Sequence, residues 1–289
     1  MDQRYLLEVN NVSKTIDNFS LHNINFQLEP GYITGIIGVN GAGKTTLLNM
    51  LLGIYYPDEG EIIINGYNRV TNALDVKKRI AFITDECLFP YDLKPKHISM
   101  MYGSTYPGFD PKKMQSLCKR FGVPYNKTLR KMSKGNRIKM QLAFAMSYDA
   151  DLYIMDEPTA GLDPVFHREV YEYLFEIVAD GTKSILLSTN ITEDLDRIGD
   201  YVLFLDQGTQ KFFSEKEELI NKYRLIKGTP NQVAFYSRYI IGKTTNETYT
   251  EALIWNELTD YPVAVTIETP TLDKIMQYLM EKHYKKGER

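Results

Sequence analysis

Apolar residues come along this chain in two rhythms. Short, dense runs occupy residues 5–9, 22–28 and 32–37, then Glu61–Ile64, Ile80–Thr84, Leu152–Met155, Ser184–Leu187 and Tyr201–Leu205. Their length and their content of Ile, Leu, Val, Phe and Tyr predict strands. Helical patterning separates most of them, at Lys112–Phe121, Arg137–Met146 and Val165–Val178. Strands alternating with helices predict an α/β fold, a largely parallel sheet wrapped by helices.

Two zones break the alternation. Residues 90–132 carry several prolines, glycines and short helical pieces, which suits a helical insertion better than core sheet. After about Arg224 the texture changes again: Lys227–Gln232 (KGTPNQ) reads as a linker turn, and Glu251–Trp255 and Val263–Glu268 as short β pieces. Thr271–Lys282 reads as an amphipathic closing helix with a polar N-cap. The expected organisation is a domain at 1–224 with a helical insertion at about 86–132, followed by an accessory α+β domain at 225–289.

Composition narrows the choice of function. The 289 residues are 43% apolar and 25% charged, as in ordinary folded proteins, and 34 basic against 37 acidic residues leave a net charge of −3. No global basic field points to nucleic acid. Cys87 and Cys118 lie far apart, and His22, His97, His167 and His283 are scattered, so no spacing suits a transition metal. The N-terminus lacks a signal pattern, and the greasiest run, Leu47–Tyr56, is far shorter than the ~18 apolar residues of a spanning helix. The chain is expected not to cross a membrane by itself.

The informative chemistry begins where the strand at 32–37 ends. Gly38-Val39-Asn40-Gly41-Ala42-Gly43-Lys44-Thr45 fits G-x-x-x-x-G-K-[ST] at every fixed position, after a strand and before the helical stretch KTTLLNMLLG. Glycines allow consecutive backbone N–H groups to turn toward phosphate oxygens, and the helix N-terminus adds about half a positive charge behind them. Lys44 is expected at the β- and γ-phosphates, Thr45 on Mg2+, and Thr46 at the α-phosphate. A second motif, Asp151–Glu157 (DLYIMDE), is an apolar strand ending in two carboxylates. Asp156 is the expected Mg2+ holder, and Glu157 the residue that orients or deprotonates an attacking water.

The phosphate loop, then MSKGN (Met132–Asn136), then DLYIMDEPTAGLDP (Asp151–Pro164), in this order and spacing, resemble an ABC-type ATPase subunit over residues 4 to about 222. The resemblance implies a P-loop NTPase core with an antiparallel β subdomain and the helical insertion, to which the small C-terminal α+β extension read above is appended. It implies ATP and Mg2+ as cofactors, and as partners integral membrane permease subunits and a second nucleotide-binding subunit, identical or not. It also implies a peripheral place at the cytoplasmic face of the membrane, and no nucleic acid. Ser133, Lys134 and Gly135 correspond to the family's LSGGQ signature, which Met132, Lys134 and Asn136 depart from. Ser133 caps the helix that follows, and in the family this helix end meets the γ-phosphate of ATP held by a second subunit. Lys134 then either adds a cation beside that phosphate or points to solvent. Asp163 corresponds to the aspartate that links the two sites across the dimer.

Three further positions depart from the family pattern. Asp85 stands where a glutamine commonly senses Mg2+, and Ile16 stands near the place of the adenine-stacking aromatic; Phe19 either substitutes there or packs in the core or loop. Asn190, in STNITEDLDRIGD, stands where a histidine contacts the γ-phosphate. Its side-chain NH2 can donate to an anionic oxygen, or Asn190 can be the N-cap of the helix beginning at Ile191. The sequence looks most like bacterial drug-, antibiotic- and toxin-peptide-exporter ATPases, such as those of the phenol-soluble modulin and acetoin-operon exporter types. Two alternatives stay open: a poorly hydrolysing regulatory subunit of a heterodimeric ABC system, and a soluble ABC ATPase outside transport.

Overall fold

The computed structural model describes residues 5–160, 162, 164–258 and 260–284. In chain order the strands are β1 (Leu7–Ile16), β2 (Phe19–Leu28), β3 (Ile33–Ile37), β4 (Glu59–Ile64), β5 (Tyr67–Asn68), β6 (Ile80–Thr84), β7 (Leu152–Asp156), β8 (Ser184–Ser188), β9 (Tyr201–Asp206) and β10 (Thr209–Glu215). They are followed by β11 (Tyr223–Gly228), β12 (Ile240–Thr245), β13 (Thr250–Trp255) and β14 (Thr266–Glu268). The α-helices are α1 (Lys44–Leu52), α2 (Ala73–Arg79), α3 (Pro95–Tyr102), α4 (Pro111–Arg120) and α5 (Lys134–Ala145). After them come α6 (Pro164–Val178), α7 (Thr192–Ile198), α8 (Lys216–Asn221), α9 (Pro230–Ala234) and α10 (Leu272–Tyr284).

Among the described residues, β1 to β10 form one sheet in the order β5-β4-β1-β2-β10-β9-β3-β8-β7-β6. Its two halves differ in direction. β6, β7, β8, β3 and β9 run parallel, with Met155 beside Leu187 and Gly35 beside both Leu187 and Val202. β5, β4, β1 and β2 pair antiparallel, and β10 touches β2 at Thr209 and His22. The parallel strands are buried on both faces: every residue of β3 and of β8 is buried, as continuous apolar runs require in a covered sheet. Leu47, Leu48 and Leu51 of α1 join Leu7, Ile36, Ile154 and Leu186 in one core, so the helix after the glycine loop is fixed along one side.

β1 and β2 extend beyond the apolar runs of the sequence. Asn10–Ile16 and Phe19–Ser20 carry polar residues on an exposed face, and the hairpin turns at Asp17, whose φ is +51°. Cross-strand pairing between Thr15 and Ser20 and between Ile16 and Phe19 decided these ends. Residues 86–132 hold α3, α4 and two short 3₁₀ turns.

The chain divides into two compact units, Met1–Ile191 with Tyr201–Phe213, and Thr192–Asp200 with Ser214–Arg289. In the second unit, β11 to β14 make a sheet in the order β12-β13-β11-β14 over a small core of Ile226, Val233, Tyr236, Ala252 and Ile254. KGTPNQ is ordered structure here: β11 ends at Gly228, and Thr229 caps α9 through a reciprocal capping box with Gln232. α10 packs on β12 and on α7, where the Leu272 N–H donates to Asp196 Oδ1 at 3.0 Å.

Candidate nucleotide site

The site is built at the C-terminal ends of three neighbouring parallel strands, β7, β8 and β3, where side chains leave a rigid sheet. β3 passes into the glycine loop, and α1 starts at Lys44. Gly38 is required by close approach, because a Cβ there would lie 2.3 Å from the Leu205 carbonyl oxygen. Gly43, with φ +108°, makes the left-handed step into the helix that a branched residue would resist. Asn40 and Thr45 are exposed, Thr46 is half-buried, and Ala42 is buried with its N–H donating to the Val39 carbonyl at 3.0 Å.

Lys44 lies under the loop and is almost wholly buried. Its Nζ donates to the Gly38 carbonyl at 2.6 Å and to Asn190 Oδ1 at 2.9 Å. Burial pushes this ammonium below its usual range, and the nearby charges of Glu157 and Asp156 pull it back up. Asp156, the last residue of β7, accepts a short hydrogen bond on Oδ1 from the Ser188 hydroxyl. Glu157 follows in a left-handed conformation, φ +49°, with its N–H donating to the Ser188 carbonyl at 3.0 Å. Its Oε2 accepts from the Asn190 N–H at 3.3 Å, and its Oε1 is buried with no hydrogen-bond partner among the described residues. Burial raises the Glu157 carboxyl above the usual carboxylate range; the Asn190 N–H and the Lys44 ammonium oppose the rise, and the charges of Asp156 and Asp85 add to it.

These groups face one cavity of about 750 Å³. The glycine loop, Lys44, Thr45, Thr46, Asp156, Glu157 and Asn190 all line it, with Ile16 and Phe19 at another part of its wall. Asn49, Tyr55 and Ser188 belong to the same region and were not anticipated; Ser188 was legible only as the polar end of a buried strand. Asn190 has its oxygen on Lys44, which leaves the NH2 as the donor end.

Ser133, Lys134 and Gly135 line a separate cavity of about 460 Å³ at the start of α5. Ser133 is the N-cap, its Oγ accepting from the Asn136 N–H at 3.2 Å. Lys134 Nζ is 3.1 Å from Asp85 Oδ2, so it neither points to open solvent nor stands alone. Asp163 lies outside the described residues.

A glycine loop over a buried lysine, with two carboxylates at the end of β7, two strands away from β3, defines a P-loop nucleotide-binding protein. The ABC transporter family profile matches residues 21–160. The chain is 30% identical over 221 residues to the ABC transporter ATP-binding protein YtrB of Bacillus subtilis (strain 168), covering 75% of each chain. It is 29% identical over 197 residues to the daunorubicin resistance ATP-binding protein DrrA3 of Streptomyces coeruleorubidus, covering 66% of this chain and 62% of that one. A solved ATP-binding subunit of an ABC transporter superposes with a TM-score of 0.69 at 28% identity, over 74% of this chain and 91% of that one. This chain belongs to the ABC transporter ATP-binding family: it is an ATP-hydrolysing, nucleotide-binding subunit with exporter-type relatives. Among the described residues no helix is long and apolar enough to cross a membrane.

Proposed function

We propose that this subunit powers a membrane exporter of drugs, antibiotics or peptide toxins, closing on ATP as a two-chain sandwich and reopening after hydrolysis. The observation that carries the reading is the convergence of Lys44, Asp156, Glu157 and Asn190 on the cavity under the glycine loop. Lys44 binds the β- and γ-phosphates, and the backbone N–H groups of Gly41 and Gly43–Thr46 hold their oxygens, while the Ala42 N–H stays on the Val39 carbonyl. Glu157, half-buried beside Lys44 and with one oxygen unpartnered, takes the proton of the attacking water. Asn190 keeps Lys44 in place through Oδ1 and offers its NH2 to the γ-phosphate.

The Thr45 hydroxyl and the Asp156 carboxylate are hard oxygen donors, the residues that would hold Mg2+. When bound, Mg2+ neutralises charge on the β- and γ-phosphate oxygens. Asp156 keeps one oxygen for it while Ser188 holds the other. Asp85, whose carboxylate faces Lys134, contributes less readily to that set.

The permease partner is supported by an aromatic groove of about 330 Å³ between the insertion and the core, lined by Phe82, Phe89, Tyr102, Tyr106, Phe144 and Tyr148. Helices of membrane subunits docking there place the chain at the cytoplasmic face of the membrane. The reading is tested by expressing the chain with its neighbouring membrane genes and purifying it from detergent-solubilised membranes. Recovery of permease subunits with Mg2+-dependent phosphate release supports it; an active chain recovered only with ribosomes or DNA overturns it.

A further inference from the structure

Two of the positions that depart from the family pattern face each other. Asp85 directly follows β6 and Lys134 opens α5, and their charged atoms are 3.1 Å apart across 49 residues of sequence. Both side chains are about one-third exposed, 38% and 34%. A second link between the same elements is of another kind: Gln141 Nε2, buried, donates to the Thr84 carbonyl at 2.9 Å. The buried neutral bond fixes α5 against the end of β6. The open ion pair adds little to that attachment and is cheap to break.

Lys134 is also placed for a different anion. It lines the cavity at the start of α5 together with Ser133, Gly135 and Lys139, at the N-terminus of a 12-residue helix. A triphosphate brings more negative charge to such a helix end than one carboxylate does.

We propose that Asp85 and Lys134 form a latch that opens when two chains close on nucleotide: Lys134 leaves the carboxylate of its own chain for the phosphates held by a second copy. The inference rests on the two-chain sandwich proposed above. While the latch is shut, part of the attraction Lys134 can offer is used within its own chain, so Asp85 sets the threshold for association. Asp85 is then a regulatory residue in this chain, engaged by Lys134 before any metal ion. Its charge also reaches the catalytic carboxylate, since it adds to the rise at Glu157. A shut latch therefore keeps an extra negative charge compensated beside the hydrolytic site.

The test uses full-length chains carrying Glu157→Gln, which keeps ATP intact, with association followed by sedimentation velocity at saturating Mg2+ and ATP. Four proteins are compared: this parent, and the parent with Asp85→Asn, with Lys134→Met, or with both. An ion pair about one-third exposed changes an equilibrium about two- to fivefold, and two latches per pair of identical chains square that to about four- to twenty-five-fold. The latch predicts that Asp85→Asn tightens the dimer by this factor, that Lys134→Met loosens it, and that Asp85→Asn has no effect once Lys134→Met is present. Equal tightening by Asp85→Asn with and without Lys134 would mean that Asp85 acts directly on the nucleotide, and the latch would be wrong. No tightening by Asp85→Asn overturns it as well. A parent that does not associate at all with ATP defeats the two-chain reading itself, a result distinct from the other two.

Discussion

Replacing Glu157 with glutamine separates chemistry from architecture at this site. The amide has the shape of the carboxylate, and its oxygen can still accept the 3.3 Å hydrogen bond from the Asn190 N–H. What disappears is the group proposed above as the base. A positioned general base contributes about 10²–10⁴ in rate, so Glu157→Gln is expected to lower kcat by that factor, about 3–5 kcal/mol of barrier. The fold does not suffer, because the removed charge is one that burial penalises: the Glu157 carboxyl titrates above its usual range and one of its oxygens has no partner.

The sign of the pH dependence follows from the same burial. The native state holds the Glu157 proton to higher pH than the unfolded chain, so this group's contribution to stability falls as pH rises from the ordinary carboxylate range through the raised native value. Catalysis needs the deprotonated form, so wild-type phosphate release rises over that same interval and then levels. Steady-state phosphate release against pH, with thermal melting of both proteins at neutral pH, reads the two effects together. A wild-type rate in Glu157→Gln would refute the general-base role. A large drop in melting temperature would refute the claim that the carboxylate is a strained rather than a supporting group.

Other residues make separate predictions. Asn190→His puts a longer, titratable donor at the position proposed to face the γ-phosphate; a hydrogen bond to a charged group is worth about 1.5–3 kcal/mol, so turnover should rise about ten- to a hundredfold. An unchanged or lower phosphate-release rate for Asn190→His would show that the Oδ1 contact to Lys44 is the part that matters. Arg69, 1% exposed, donates through Nε to the Leu51 carbonyl at 2.8 Å and through its guanidinium to the Leu52 carbonyl, closing the last turn of α1. Arg69→Met leaves both carbonyls unpaired; at about 1–3 kcal/mol each, less the relief of unburying a charge, the net loss is about 2 kcal/mol. By differential scanning calorimetry the melting temperature should fall about 4–8 °C, and a fall below about 1 °C would exclude the capping role.

Much of the molecule was legible from residue order alone. The glycine loop, the strand ending in Asp156 and Glu157, and the capped helix at Ser133 each depend on neighbours a few residues away, and each sits where local pattern put it. The parallel strands were legible for the same reason: buried on both faces, they read as continuous apolar runs. The polar halves of β1 and β2, and all of β10 and β11, were not, because partner strands rather than apolar content order them: β1 and β2 hold each other across the turn at Asp17, β10 meets β2, and β13 pairs along β11.

The sequence by itself determined the class of chemistry, since a phosphate cradle needs only a few residues of fixed type at fixed spacing. Tertiary structure decided how the unusual positions are used. Asn190 lies 146 residues from Lys44, yet its oxygen holds that ammonium; Asp85 and Lys134, two separate oddities along the chain, are one ion pair in space. Charges act through distance, and distance across a sheet is not a function of position in a sequence.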